Sequence, residues 1–264
     1  MNPIAFKIFN FEIRYYSLFI LLGVTIAYFM IMREAKKFKM SEDSMFNLFF
    51  WTLIVGIVGA RIYYVAFNWE YFGNNMSEIW QIWQGGLAIH GGIIFGLIAL
   101  LIFCKQNKLN SIKILDMIVH FLILAQAIGR WGNFFNSEAY GAATTYSHLK
   151  SLHIPNFIIS GMHINGVYYT PTFLYESIWC IVGFVILMII RHRKYTKIGS
   201  QVGFYLIWYS VGRFFIESSR TDSLILCGFK AAQIVSILMI IVGIILLIKA
   251  SKNSKYQNLY NNSQ

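Results

Sequence analysis

The 264-residue chain is 57% hydrophobic and only 12% charged, whereas a soluble domain carries about 25% charged residues. This excludes an ordinary water-soluble fold and puts the chain in a lipid bilayer. A net charge of +11 would point to nucleic acid in a soluble protein, but here the basic residues stand in short clusters between apolar runs, the pattern that sets membrane orientation, so no nucleic-acid partner is expected. Cys104, Cys180 and Cys227 have no paired spacing and read as inert thiols, not as zinc ligands or a disulfide framework. Neither a metal nor a cofactor is expected.

The first apolar run follows Lys7, Glu12 and Arg14 and is trailed by a dense basic cluster, so it reads as a retained span and not as a cleaved leader. A hydrocarbon core of about 30 Å takes roughly 20 apolar residues per helix, which gives about seven spans. Their expected limits are Tyr16–Met32, Met45–Phe67, Gly86–Cys104, Ile112–Gly129, Thr172–Ile190, Gly199–Glu217 and Ala231–Ile248.

Lysines and arginines cluster after the first span (Arg33, Lys36, Lys37, Lys39) and between the third and fourth (Lys105, Lys108, Lys113). Further clusters follow the fifth (Arg191, Arg193, Lys194, Lys197) and the seventh (Lys249, Lys252, Lys255). All four fall on one side of a seven-span arrangement, which the positive-inside rule makes cytoplasmic. The expected fold is therefore an all-α integral membrane protein, a seven-transmembrane-helix bundle with its N-terminus outside and its C-terminus cytoplasmic. It forms a single membrane domain over 1–264. Between the fourth and fifth spans, 131–171 is expected as an extracytoplasmic loop or small cap, with a hairpin turn at Asn165-Gly166. The polar segment 250–264 reads as a frayed cytoplasmic tail. Trp69, Tyr71, Trp80 and Trp83 read as an interfacial aromatic belt.

The most polar stretch is Gly129-Arg130-Trp131-Gly132-Asn133-Phe134-Phe135-Asn136-Ser137-Glu138-Ala139-Tyr140-Gly141, which directly follows an apolar span. An arginine, two amides and a carboxylate at the edge of hydrocarbon need partners or water, and such groups mark a functional site. A lone arginine there would snorkel to the headgroups; this one has company. The glycines allow close backbone approach or sharp turns, and the amides offer donors and acceptors together.

In the sixth span Tyr209, Arg213, Glu217 and Arg220 recur at helical spacing on one face. Arg213 and Glu217 can pair; for Glu217 a structural ion pair stands beside a role at the site. The expected topology brings Tyr16, Arg61, His90, Arg130 and Arg213 to the outer level. His90 opens His90-Gly91-Gly92 and is either a proton-transfer group or an interhelical hydrogen bonder, while Gly92 and Gly96 have the spacing of tight helix packing. Tyr16 is a belt tyrosine or a functional phenol. Asp116 lies about 20 Å along the helix from Arg130 and reads as structural. His120, His148, His153 and His163 have no metal-site spacing.

The pattern G-R-x-G-N-F-x-N-x-E-x-x-G resembles the signature of the prolipoprotein diacylglyceryl transferases, bacterial membrane enzymes, with every fixed position filled. His90-Gly91-Gly92, Arg14-Tyr15-Tyr16, Gly59-Ala60-Arg61 and Leu174-Tyr175-Glu176 resemble further segments of that family, and the likeness is strongest over 85–141 and 203–222. One departure is Thr170-Pro171, where many members have His-Pro; Glu176 keeps an open role.

The resemblance implies transfer of a diacylglyceryl group from phosphatidylglycerol to the lipobox cysteine of a prolipoprotein signal peptide, at the outer leaflet of the bacterial plasma membrane. It implies catalytic roles for His90, Arg130, Arg213 and Tyr16. Substrate contacts would come from Arg130, Asn133, Asn136, Glu138, Gly141, Arg61, Tyr209, Glu217 and Arg220. The residue types suit the reaction, because guanidinium forks stabilise a departing phosphate. The rival from another class is a transporter or channel for an anionic solute, which also needs polar helices and glycines; a scaffold whose motifs only pack helices is a third.

Overall fold

The computed structural model of the chain describes residues 3–8, 11–220, 225–226, 229–252 and 259–261. In chain order these form β1 (Ile4–Ile8), β2 (Phe11–Arg14), α1 (Tyr15–Lys37), α2 (Glu42–Phe67), α3 (Trp69–Phe72), α4 (Ile89–Gln106) and α5 (Ser111–Asn136). Next come β3 (Ala143–Thr144), α6 (Tyr146–Ser151), α7 (Asn156–Gly161), β4 (His163–Ile164) and β5 (Val167–Tyr169). The chain continues through α8 (Thr172–His192), α9 (Ser200–Ser218), β6 (Ile225–Leu226), β7 (Phe229–Lys230) and α10 (Ala231–Lys252). Cys104 and Cys180 are buried and free; Asp222 and Cys227 lie outside the described residues.

Each expected span meets a long helix. Six of these, α1, α2, α4, α5, α8 and α10, are long and apolar enough to cross a membrane. The remaining one, α9, has 19 residues, but Gln201, Ser210, Arg213 and Glu217 lower its apolar character. The largest difference is at the end of α5, which runs to Asn136 and not to Gly129. Arg130, Asn133 and Asn136 are three residues apart, so continuing the helix stacks them along one face. The connection to α8 accordingly starts at 137, not 131.

The chain divides into two compact units, one of Met1–Ile31 with Leu115–Gln264 and the other of Met32–Ile114. In the second unit α2 and α4 pack through glycines. A Cβ on Gly91 would sit 2.4 Å from the Gly59 carbonyl oxygen, and one on Gly59 would sit 2.2 Å from Phe95. Gly92 and Gly96, the pair expected to carry this contact, meet α2 at ordinary van der Waals distance, so the tight seam runs through Gly91.

In the first unit Val119, Ile123 and Ala127 of α5 pack with Cys180 and Leu187 of α8 and Val202 and Tyr205 of α9. Gly203 and Gly243 let α9 and α10 touch, since a Cβ on either would lie 3.0 Å or less from the other's carbonyl oxygen. Few side chains of α1 and α10 are buried within the protein, as suits helices that face lipid. Residues 143–169 build a three-stranded sheet, β3-β5-β4. The expected turn is present: Ile164 pairs with Val167, and Asn165 and Gly166 both have positive φ, the two-residue turn that matches strand twist. Leu149, Ile158, Ile159 and Met162 pack on Phe134 and Phe173.

Two features differ from expectation at the termini. β1 and β2 form a hairpin carrying a Lys7–Glu12 ion pair of 2.7 Å. The tail, expected to fray, docks at 259–261: Tyr260 is fully buried and its N–H donates to the Thr196 carbonyl at 2.7 Å, while the Asn261 amide donates to the carbonyls of Arg191 and Arg193. A large buried aromatic is sufficient reason for a short polar segment to settle.

Candidate active site

Three helices of the first unit bring their polar residues to one cluster. α5 supplies Arg130, α8 supplies Glu176 and α9 supplies Tyr209, Arg213 and Glu217. Arg130 Nε pairs with Glu176 Oε2, and Arg213 Nη1 lies 2.8 Å from Glu176 Oε1. One carboxylate therefore takes a different arginine on each oxygen. Arg213 Nη2 is 2.6 Å from Glu217 Oε2, the i,i+4 pairing that the sequence spacing allows. Two guanidiniums and two carboxylates give a formal sum of zero, which is what tolerates burial of Glu176 and Glu217. The arginine side chains keep about a fifth of their surface exposed, at 21% and 19%, so the positive partners are the reachable ones.

Arg130 extends the network along α5. Its Nη1 is 3.5 Å from Asn133 Oδ1 and its Nη2 is 3.5 Å from the Tyr209 hydroxyl, both at the long limit of hydrogen bonding. Asn133 and Asn136 each donate an amide hydrogen to Glu138 Oε1, at 3.0 and 3.4 Å. Glu138 is flanked by Ser137 and Ala139 with φ of 53° and 57°, left-handed backbone that non-glycine residues adopt at a cost and that clusters at functional sites. Asn136 Oδ1 and Ser137 Oγ are buried without hydrogen-bond partners among the described residues. Gly141 donates its N–H to the Thr170 carbonyl at 2.9 Å and bridges to Arg220 through the backbone. A Cβ on Gly141 would lie 3.0 Å from Thr172, so the glycine is needed for this approach.

Gly132 brings Tyr16 to the motif. A Cβ there would be 2.9 Å from the Tyr16 ring, so only glycine lets the first turn of α1 rest on α5. The Tyr16 phenol lies within electrostatic range of Glu138 and Arg130. Gly129, by contrast, has nothing within 4 Å, and close packing does not explain it.

The register of α8 against α9 is fixed one turn from Glu176. Trp179 Nε1 donates to the Trp208 carbonyl at 2.8 Å, and Trp208 Nε1 donates to the Trp179 carbonyl at 3.0 Å. The rings stack at 4.3 Å with 13° between their planes. Each indole covers a glycine of the other helix: a Cβ on Gly212 would fall 2.3 Å from Trp179, and one on Gly183 would fall 2.5 Å from Trp208. A small cleft beside this pair is lined by Glu176, Trp179, Tyr209, Gly212, Arg213 and Ile216.

In the other unit His90 stands exposed in the first turn of α4, its ring 6.3 Å from that of Tyr63. Arg61 differs from the substrate contact expected of it. Its Nε donates to the Ile79 carbonyl at 2.7 Å, Nη1 to Gly85 and Gly86 at 2.9 and 3.0 Å, and Nη2 to Glu78 at 2.7 Å. With the side chain 8% exposed, the guanidinium shapes the loop that leads into α4 by satisfying carbonyls that would otherwise be unpaired.

The sequence model of the prolipoprotein diacylglyceryl transferases matches residues 3–249. The chain belongs to that family. Among its relatives are proteins named phosphatidylglycerol--prolipoprotein diacylglyceryl transferase from Staphylococcus saprophyticus and Staphylococcus aureus strain Newman. They are 47% and 48% identical over 249 residues, covering 94% of this chain and 89% and 88% of theirs. The protein of that name from Staphylococcus carnosus is 46% identical over 258 residues, covering 97% and 92%.

Within this diacylglyceryl transferase family member, the sequence reading left Glu176 with an open role and did not single out Lys230. Glu176 is the sole acidic residue of its span, and the signal for it was charge balance: two arginines and only Glu217 leave one positive charge without a partner. Lys230 caps the C-terminal end of α9, its Nζ donating to the carbonyls of Glu217, Ser218 and Arg220 at 2.6, 3.1 and 2.9 Å, where a cation also meets the negative end of the helix dipole.

Proposed function

We propose that this protein transfers the diacylglyceryl group of phosphatidylglycerol to the thiol of the lipobox cysteine in a bacterial prolipoprotein. In the reaction sulfur bonds to the glycerol carbon, the carbon–oxygen bond to phosphate breaks, and glycerol phosphate leaves with the electron pair. The observation that carries this reading is the meeting of Arg130 and Arg213 on Glu176. Two fixed, partly exposed guanidiniums in a low-dielectric setting match phosphate oxygens and stabilise charge that grows as the leaving group departs.

Arg130 and Arg213 are assigned to the lipid phosphate. His90 or Tyr16 assists the thiol, whose ordinary pKa of about 8.5 calls for only modest help toward the thiolate. Asn133, Asn136, Glu138, Gly141, Tyr209, Glu217 and Arg220 hold these groups in place. The membrane arrangement that suits the chemistry has seven spans, with α9 crossing as a polar helix sheltered by its neighbours, the N-terminus outside and the C-terminus in the cytoplasm. The segment 137–171 then caps the outer face, where translocated precursors present their cysteine and phosphatidylglycerol enters from the leaflet.

The test supplies purified protein with labelled phosphatidylglycerol and a lipobox peptide, with a cysteine-to-serine peptide as control. Label on the cysteine peptide alone is the expected result. Full turnover in Arg130→Ala and Arg213→Ala would remove the proposed phosphate site.

A further inference from the structure

The two oxygens of Glu176 hold the same two guanidiniums that the proposed function assigns to lipid phosphate. Carboxylate and phosphate present similar oxygen pairs to an arginine fork. We infer that Glu176 is a positioning residue that holds the phosphate's place in the free protein and yields at least one arginine to the phosphate when substrate binds.

Charge supports the exchange. Arg130 and Arg213 are balanced by Glu176 and Glu217, so a phosphodiester monoanion added to an unchanged cluster leaves it at minus one among apolar side chains. Expulsion of a phosphate monoester raises the negative charge further. Letting Glu176 release a guanidinium gives that charge a direct partner where uncompensated charge is most costly.

Geometry supports it as well. Among the described residues the terminal nitrogens of Arg130 have only 3.5 Å contacts, to Asn133 and Tyr209, so they can take a better acceptor at little cost. Glu176 and Arg213 both line the small cleft, together with Tyr209, Gly212 and Ile216. Both guanidiniums are carried on flexible side chains that can change partners. Glu217 is a different case, an i,i+4 partner of Arg213 on the same helix.

This inference rests on the proposed lipid-phosphate site, and the test separates the two. Full-length wild type, Glu176→Gln and Glu176→Asp in nanodiscs are assayed for lipid transfer, with free glycerol 1-phosphate as inhibitor; varying phosphatidylglycerol separates the lipid from the free phosphate. Glu176→Gln keeps the shape and removes the competing charge, so glycerol 1-phosphate should inhibit about tenfold more strongly and KM for phosphatidylglycerol should fall. Its kcat should also fall, by about 10²-fold, because the arginines lose their common anchor. A merely structural glutamate would lower kcat with no gain in phosphate affinity.

Glu176→Asp, whose shorter arm reaches one guanidinium, should show the same gain on a smaller scale, and it carries the test if Glu176→Gln does not accumulate. Unchanged or weaker inhibition in whichever variant folds, with wild type transferring lipid normally, overturns the exchange alone. No transfer by wild type overturns both readings.

Discussion

The first unit buries two clusters of charged and polar groups, one on α5, α8 and α9 and the other on α5 and α9, and they are built differently. At Asp116 the partners are backbone N–H groups. Asp116 is fully buried, its oxygens accepting N–H bonds from Gly199 at 2.6 Å and Val202 at 2.8 Å, so α5 supplies the cap that the first turn of α9 lacks. His120 pairs with Gln201, and Tyr260 lies against the His120 ring. At Glu176 the partners are two side chains that remain a fifth exposed. Backbone donors cannot leave without unwinding a helix, whereas guanidiniums can turn to a new acceptor. Burial of charge alone thus does not distinguish scaffold from active site; exchangeability of the partners does.

The strongest way to break this comparison is Arg213→Ala. Loss of one preorganised cation should lower transfer of labelled glycerolipid on the order of 10³-fold. It also strands Glu217, and Glu217→Gln added to Arg213→Ala should recover much of the thermal stability in detergent but none of the transfer. Recovery of transfer would show that the arginine served the fold only.

The opposite outcome is expected at the other cluster. Asp116→Ala leaves two helix-terminal N–H groups without acceptors, costing about 1–3 kcal/mol for each group left unsatisfied. The melting temperature should drop while transfer per folded molecule at low temperature stays within about twofold, as a surface-independent structural cap would behave. A large loss of rate in the folded fraction would erase the distinction.

Gly212→Ala joins packing to chemistry, because its methyl group would meet Trp179 at 2.3 Å. Overpacking of this kind costs about 1–3 kcal/mol, and it should shift Glu176 relative to Arg213, so stability and transfer fall together. Gly129→Ala, with open space around the added methyl, is the matched control for stability.

The smallest effect belongs to the exposed Lys7–Glu12 pair. Lys7 hydrogen-bonds the Glu12 carboxylate and holds its pKa below the ordinary carboxylate value. A depressed folded pKa means that the pair supports the hairpin above the unfolded carboxylate pKa and that the support is lost as pH falls through the lowered folded value. Lys7→Gln should return the Glu12 titration, followed by NMR, to the ordinary range without altering transfer.

Much of this was legible in the sequence. Apolar runs located every long helix, and motif spacing named both arginines. Hydropathy failed at Gly129–Asn136, since a helix that ends in Arg130, Asn133 and Asn136 looks like a loop to any measure of apolar content. Glu176 was visible, but its partners were not: periodicity reports neighbours on one helix, and its arginines come from two others. Arg61 was named as a substrate contact from its resemblance alone, and the sequence gives no sign of the four carbonyls folding around it. Tyr260 looked like tail because its neighbours are polar.

The reciprocal bonds of Trp179 and Trp208 have a practical consequence. Stacked indoles couple their electronic transitions, so this native chromophore pair should give an excitonic band in circular dichroism without any attached label. It lies one turn from the shared carboxylate and on the two helices that carry Glu176 and Arg213. Slippage between those helices during turnover would register as loss of that optical signature.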